Sequence, residues 1–86
     1  MILGRHWISE TRIEFSLPNA GEISLVVYDV LGRSVRTLAS GSYPAGNHAV
    51  NWDSRDGSGQ TVASGVYFYR LEASGKTTTR KMMLVK

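Results

Sequence analysis

Cysteine is absent from this 86-residue chain, so neither a disulfide framework nor a Cys-based metal clip can offset a weak core. Histidine is nearly absent too, and its two copies, His6 and His48, lie too far apart for the usual zinc spacings. No apolar run approaches the roughly 18 residues that cross a bilayer. The longest are short, such as Leu25 to Tyr28 and Met82 to Val85, so no membrane insertion is expected. The opening MILGRHWISE holds three apolar residues before Arg5, fewer than a secretory h-region needs. An exported form would carry its cleavable signal on a larger parent chain. The length suits one small domain and excludes a two-domain enzyme.

Acids are missing from the last segment. Residues 1–75 hold six arginines against all seven acids, whereas residues 76–86 hold Lys76, Arg80, Lys81 and Lys86 with none. The whole formal charge of +3 therefore resides at the C-terminal end. Nucleic-acid binders carry a broad basic face with stacking aromatics, and this segment has no aromatic residue, so no nucleic-acid partner is expected. An edge strand whose cations discourage sheet-to-sheet pairing accounts for the pattern.

What is present in quantity is hydrophobic alternation at spacing two. Ile13, Phe15 and Leu17 show it, as do Ile23, Leu25 and Val27, then Val35 to Leu38, His48 to Trp52, Gly65 to Ala73 and Thr77 to Val85. Between these lie the turn groups Pro18 to Gly21, Leu31-Gly32, Pro44 to Asn47, Asp53 to Gly59 and Ser74-Gly75. Six strands and a short seventh near Gln60 to Val62, with no segment of helical period, predict an all-β, immunoglobulin-like antiparallel sandwich of about seven strands. Residues 22–30 are apolar on both faces, through Ile23, Leu25 and Val27 and through Val26, Tyr28 and Val30, which predicts a central strand. The strand from Val66 is expected to be covered on both sides too, so Arg70 needs a partner or a route to solvent.

Each motif with apparent chemistry has a structural explanation. Asp29 and Gly32 suit a tight turn, with Arg33 and Arg36 expected on the solvent side of the strand that follows. Asp53 to Gly59 resembles a calcium loop superficially, but Arg55 takes the third ligand position and no acid follows before Glu72, so an Asx turn is the better reading. Trp52, Tyr67, Tyr69 and Trp7 suggest a sugar-stacking platform, against which core and sheet packing explain the first three; Trp7 suits a cap on the open end of the sandwich or a contact with a parent protein. His48 lacks a nucleophile motif and is expected to pack or to lie at a strand edge. Glu14, Glu22 and Glu72 are expected to point outward. No catalytic residue, cofactor or metal site is expected.

Four segments read together resemble a known family: TRIEFSLP (Thr11 to Pro18), VYDVLGRSVRTL (Val27 to Leu38), AGNHAVNWDSRDGSGQTVASGVYFYRLEA (Ala45 to Ala73) and RKMMLVK (Arg80 to Lys86). They resemble the type A C-terminal sorting domains carried by type IX secretion cargo, and are closely similar to the immunoglobulin-like domain of the flagellar hook-capping protein. Sorting domains usually place an Asn-Pro segment before the first strand, where this chain has Arg5 to Glu10. The resemblance implies that residues 11–86 form the sandwich, with residues 1–10 an extension or the boundary to a preceding parent domain. It further implies a folded export signal on a secreted or cell-surface protein that travels via the periplasm. Its partners would be translocation proteins and a cell-surface sortase. On the last strand, Met82 and Leu84 are expected inward, and Lys76, Arg80, Lys81, Met83, Val85 and Lys86 are the residues expected to meet a partner. The alternatives are a structural or assembly domain of the hook-cap kind, with outward strand faces against neighbouring subunits, and a carbohydrate-binding module.

Overall fold

The computed structural model of the chain describes residues 10–85. Each period-two segment forms a strand: β1 (Thr11–Leu17), β2 (Gly21–Tyr28), β3 (Ser34–Tyr43), β4 (Gly46–Trp52), β5 (Gly65–Ala73) and β6 (Lys76–Leu84). All pairings are antiparallel. One sheet has the order β3-β2-β5-β6 and the other pairs β1 with β4. The expected seventh strand is replaced by an isolated bridge, Arg55↔Thr61, inside the β4–β5 loop.

The apolar face of each sheet turns toward the other. Ile13 and Leu17 of β1 pack with Ile23 and Leu25 of β2 and Ala39 of β3. A second cluster joins Val27, Trp52, Tyr67 and Leu84, and Leu38, Tyr69 and Met82 touch both. The expected inward positions Met82 and Leu84 are thus correct, and β2 is central as its two apolar faces required.

Local chemistry fixes the reversals. Asp29 Oδ1 accepts hydrogen bonds from the backbone N–H groups of Leu31 and Arg33, both at 2.9 Å, while Gly32 adopts φ +81°. Ser74 and Gly75 both have positive φ, at 52° and 75°, as a two-residue hairpin requires. Pro18 and Pro44 lie where the chain leaves one sheet for the other. There, a residue that cannot donate to a ladder costs nothing.

Four details depart from the sequence reading. Strand β5 is covered on one side only: among the described residues no element lies over its outer face, where Val66, Phe68 and Arg70 are half-buried. Strand β2 stops at Tyr28, so Val30 is not a strand residue and is 64% exposed in the turn. Strand β3 runs on to Tyr43, with two register irregularities against β2 that absorb its broken alternation. Arg36 is half-buried rather than on the solvent side: its Nη1 donates to Asp53 Oδ1 at 2.9 Å and to the Arg55 carbonyl at 3.1 Å. Arg70 finds its partner in the Tyr28 ring, with the guanidinium carbon 4.7 Å from the centroid.

Leu25 is wholly buried. Leu25→Ala is expected to lower the unfolding free energy by about 2–5 kcal/mol in chemical denaturation. Met83→Ala, at an exposed position, should change it by about 0.5 kcal/mol or less. Comparable losses in the two variants would contradict the assignment of faces.

Candidate functional site

The sheet register divides the expected partner-binding residues between two surfaces. Phe68 pairs with Lys81 and Val66 with Met83, whereas Tyr69 pairs with Arg80 and Ala73 with Lys76. Paired residues share a face, so Lys81 and Met83 stand on the outer face of the four-stranded sheet. Lys76 and Arg80 fall on the side that faces the smaller sheet, and both are exposed beyond its cover. Val85 follows β6 and is 75% exposed. Lys86 lies outside the described residues, as do His6 and Trp7.

Around Met83 the outer face is apolar. Tyr28 pairs with Phe68, Val66 with Met83, and Val30 and Leu31 of the β2–β3 turn border the same shallow depression as Val66. Among the described residues, Met83, Leu31 and Val30 are the most exposed large apolar side chains besides Val85. Arg70 and Lys81 supply positive charge beside them. A rigid sheet surface with an apolar centre and cationic flank suits docking to a protein surface. Scattered exposed apolar residues need no explanation; here strand pairing and the turn bring them together at one end of the sheet. Val30 and Leu31 were not among the residues singled out for partner binding, because linear spacing does not show that the turn lands beside Val66.

The other candidate sites are occupied by structural roles. Trp52 is fully buried and meets Tyr67 edge-on at 5.3 Å, so it offers no ring face to a sugar. Its Nε1–H donates to the Arg55 carbonyl at 2.9 Å. The Tyr67 hydroxyl donates to the Ala63 carbonyl at 2.7 Å, a corner typical of immunoglobulin-like sandwiches. His48 packs at 5.3 Å from the rings of both Phe15 and Tyr43, and its Nε2 is 2.8 Å from the Pro44 carbonyl. Glu14, Glu22 and Glu72 are exposed, as expected.

The Asp53 to Gly59 segment closes on itself. Asp56 Oδ1 accepts from the Ser58 hydroxyl at 2.7 Å and from the Ser58 and Gln60 backbone N–H groups at 3.0 Å, while Asp53 Oδ1 is engaged by Arg36 and the Arg55 N–H. This is the Asx-turn geometry the sequence favoured. The hydrogen bond from the Ser58 hydroxyl holds the Asp56 carboxyl below its ordinary value of 3.8, with the Gln60 and Ser58 amides acting in the same direction. Asp29 is held low chiefly by the Arg33 backbone N–H.

A carboxyl whose pKa falls on folding stabilises the fold above the unfolded value, and that contribution is lost as pH drops through the folded value. Stability should therefore decline from about pH 4 downward, and Asp56→Asn, which keeps an acceptor oxygen, should make the decline shallower. Urea titrations at stepped pH would show it. An identical pH slope in the variant would contradict the role given to this carboxylate.

Comparisons with known proteins now bear on these surfaces. A family model described as the FlgD Ig-like domain matches residues 8–77. The basal-body rod modification protein FlgD of Salmonella typhimurium is 36% identical over 66 residues, covering 77% of this chain and 28% of that protein. The same protein of Salmonella typhi matches equally. Among solved structures, FlgD from P. aeruginosa superposes with a TM-score of 0.65 at 27% identity, covering 87% of this chain and 60% of that one. FlgD from Xanthomonas campestris gives 0.66 at 20% identity, covering 90% and 58%, and supports the fold alone. The chain thus spans little more than a quarter of the length of the curated relatives it matches.

These findings overturn the expectation of a type IX sorting signal. The family model, the relatives and the solved structures all fall on the hook-capping side of the resemblance, and none supports a sorting domain. The translocation proteins and the sortase are implied only by the sorting-domain resemblance and are not carried forward.

Proposed function

This chain belongs to the FlgD Ig-like domain family, and from that premise we propose that it is a non-catalytic assembly module of a larger FlgD-type protein. Its work would be structural, in flagellar rod or hook assembly. The names of its relatives support this: the Salmonella proteins are basal-body rod modification proteins. Such a role would place the domain in an exported structure. The non-catalytic reading draws on His48, whose ring is packed against Phe15 and Tyr43 rather than beside a nucleophile.

One observation carries the reading to particular residues. The outer face around Val66, Met83, Val30 and Leu31 presents apolar side chains on a surface whose backbone is held by antiparallel ladders on both sides of β5. In an assembly, that face would bury its apolar centre against a neighbouring subunit while Lys81 and Arg70 set its orientation. Contacts of this kind concentrate their free energy in a few central side chains.

The test uses the full-length protein carrying Met83→Asp, with Leu31→Asp as an independent second variant. Recovery of the protein in isolated rod and hook fractions is expected to fall by about tenfold, with the thermal midpoint within about 3 °C of the parent. Wild-type incorporation by both folded variants would contradict this contact face. Absence of the parent itself from flagellar fractions would contradict the flagellar reading.

A further inference from the structure

The two layers of the sandwich are unequal, with four strands in one and two in the other among the described residues. Tyr67, Tyr69 and Leu71 of β5 face the same side, yet only Tyr67 is buried; Tyr69 and Leu71 are half-covered. Their cross-strand neighbours Thr78 and Arg80 also turn inward and are exposed. These four line a groove of about 720 Å³ whose opposite wall is the smaller sheet, Arg12 to Ser16 of β1 with Asn47 to Ala49 of β4. Among the described residues, β1 pairs only with β4. Its second edge leaves backbone donors and acceptors available beside the groove.

We propose that this groove takes an extended acidic and apolar segment of a partner polypeptide, added to β1 as a third strand of the smaller sheet. The seven residues of β1 offer an edge of about 23 Å, and an added strand would cover Tyr69 and Leu71. Main-chain hydrogen bonds would supply affinity, and alternate side chains specificity.

Charge selects the occupant. Arg12 and Glu14 neutralise each other at 2.8 Å. No salt bridge among the described residues engages Arg80, which lines the groove, or Lys76, which lines an adjoining depression that shares Ser16, Leu71 and Thr78 with it. Carboxylates on the incoming strand would meet them. Arg80 itself lies on β6, across the groove from β1, so an acidic strand seated on β1 meets that cation. This proposal stands apart from the flagellar role and concerns a different surface from the Met83 face.

The test is amide hydrogen exchange on the 86-residue chain with a blocked peptide of about nine residues that alternates valine with aspartate and threonine. The β1 amides not bonded to β4 should slow by about tenfold or more at saturation. A peptide with lysine in place of aspartate should give no protection. Arg80→Glu should weaken binding about fivefold or more, with Arg80→Gln as the substitute should the charge reversal unfold the chain. Four outcomes would overturn the proposal: no protection at millimolar peptide, protection along β6 instead, β1 amides already protected without peptide, or protection that rises with protein concentration alone and so reports a second copy of the chain.

Discussion

Burial of one indole governs the geometry of the whole sandwich. Trp52 ends β4 with no exposed surface, lies edge-on to Tyr67 at the start of β5, and donates its N–H to the Arg55 carbonyl. The same carbonyl accepts from Arg36 of β3, whose charge is balanced by Asp53. Three strands and the long loop therefore meet around one ring, and the loop is held by side-chain bonds where a seventh strand was expected. With Tyr67 fixed inward, period two sets every other side chain of β5, and pairing with β6 carries the choice onward. Lys81 and Met83 point outward because Tyr67 points in. A slip of one residue would invert both faces.

Most of the fold was legible from alternation and turn chemistry, because a half-buried strand must repeat every two residues and a reversal must be built from residues that tolerate it. The central place of β2 followed from its two apolar faces. What alternation could not show was how strands divide between sheets: Pro44 marks a break whether the chain folds back in its own sheet or crosses to the other. The length of β3 was hidden for a related reason. Beyond Leu38 it is mostly small and polar, so no apolar alternation marks it, and the register irregularities against β2 fall earlier, at Val35 and Leu38. Arg36 was misplaced because its carboxylate partner is 17 residues away. Val30 continued an apolar run into what is a turn.

The site was legible only in part. The final strand was recognisable as basic, and its inward positions Met82 and Leu84 and outward positions Lys81 and Met83 were read correctly. Its cations proved to belong to two surfaces, Lys81 beside the apolar outer face, Lys76 and Arg80 on the side of the smaller sheet, with Arg80 lining the groove. The contribution of Val30 and Leu31 depends on strand order and could not be read from a single segment. The functional branch was also beyond the residues themselves, since the shared segments describe a common sandwich. What separated the readings was the agreement of the family model, the Salmonella relatives and the solved FlgD structures.

The central claim is that the outer face around Met83 is covered by a neighbouring protein in the assembled state. Site-specific photo-crosslinking in the full-length protein addresses it directly. A photoreactive residue in place of Met83 should form adducts with a flagellar subunit in isolated hooks, while one in place of Glu72, exposed toward the opposite end of the same sheet, should form few. Equal crosslinking at both positions, or none at either despite incorporation, would contradict the account.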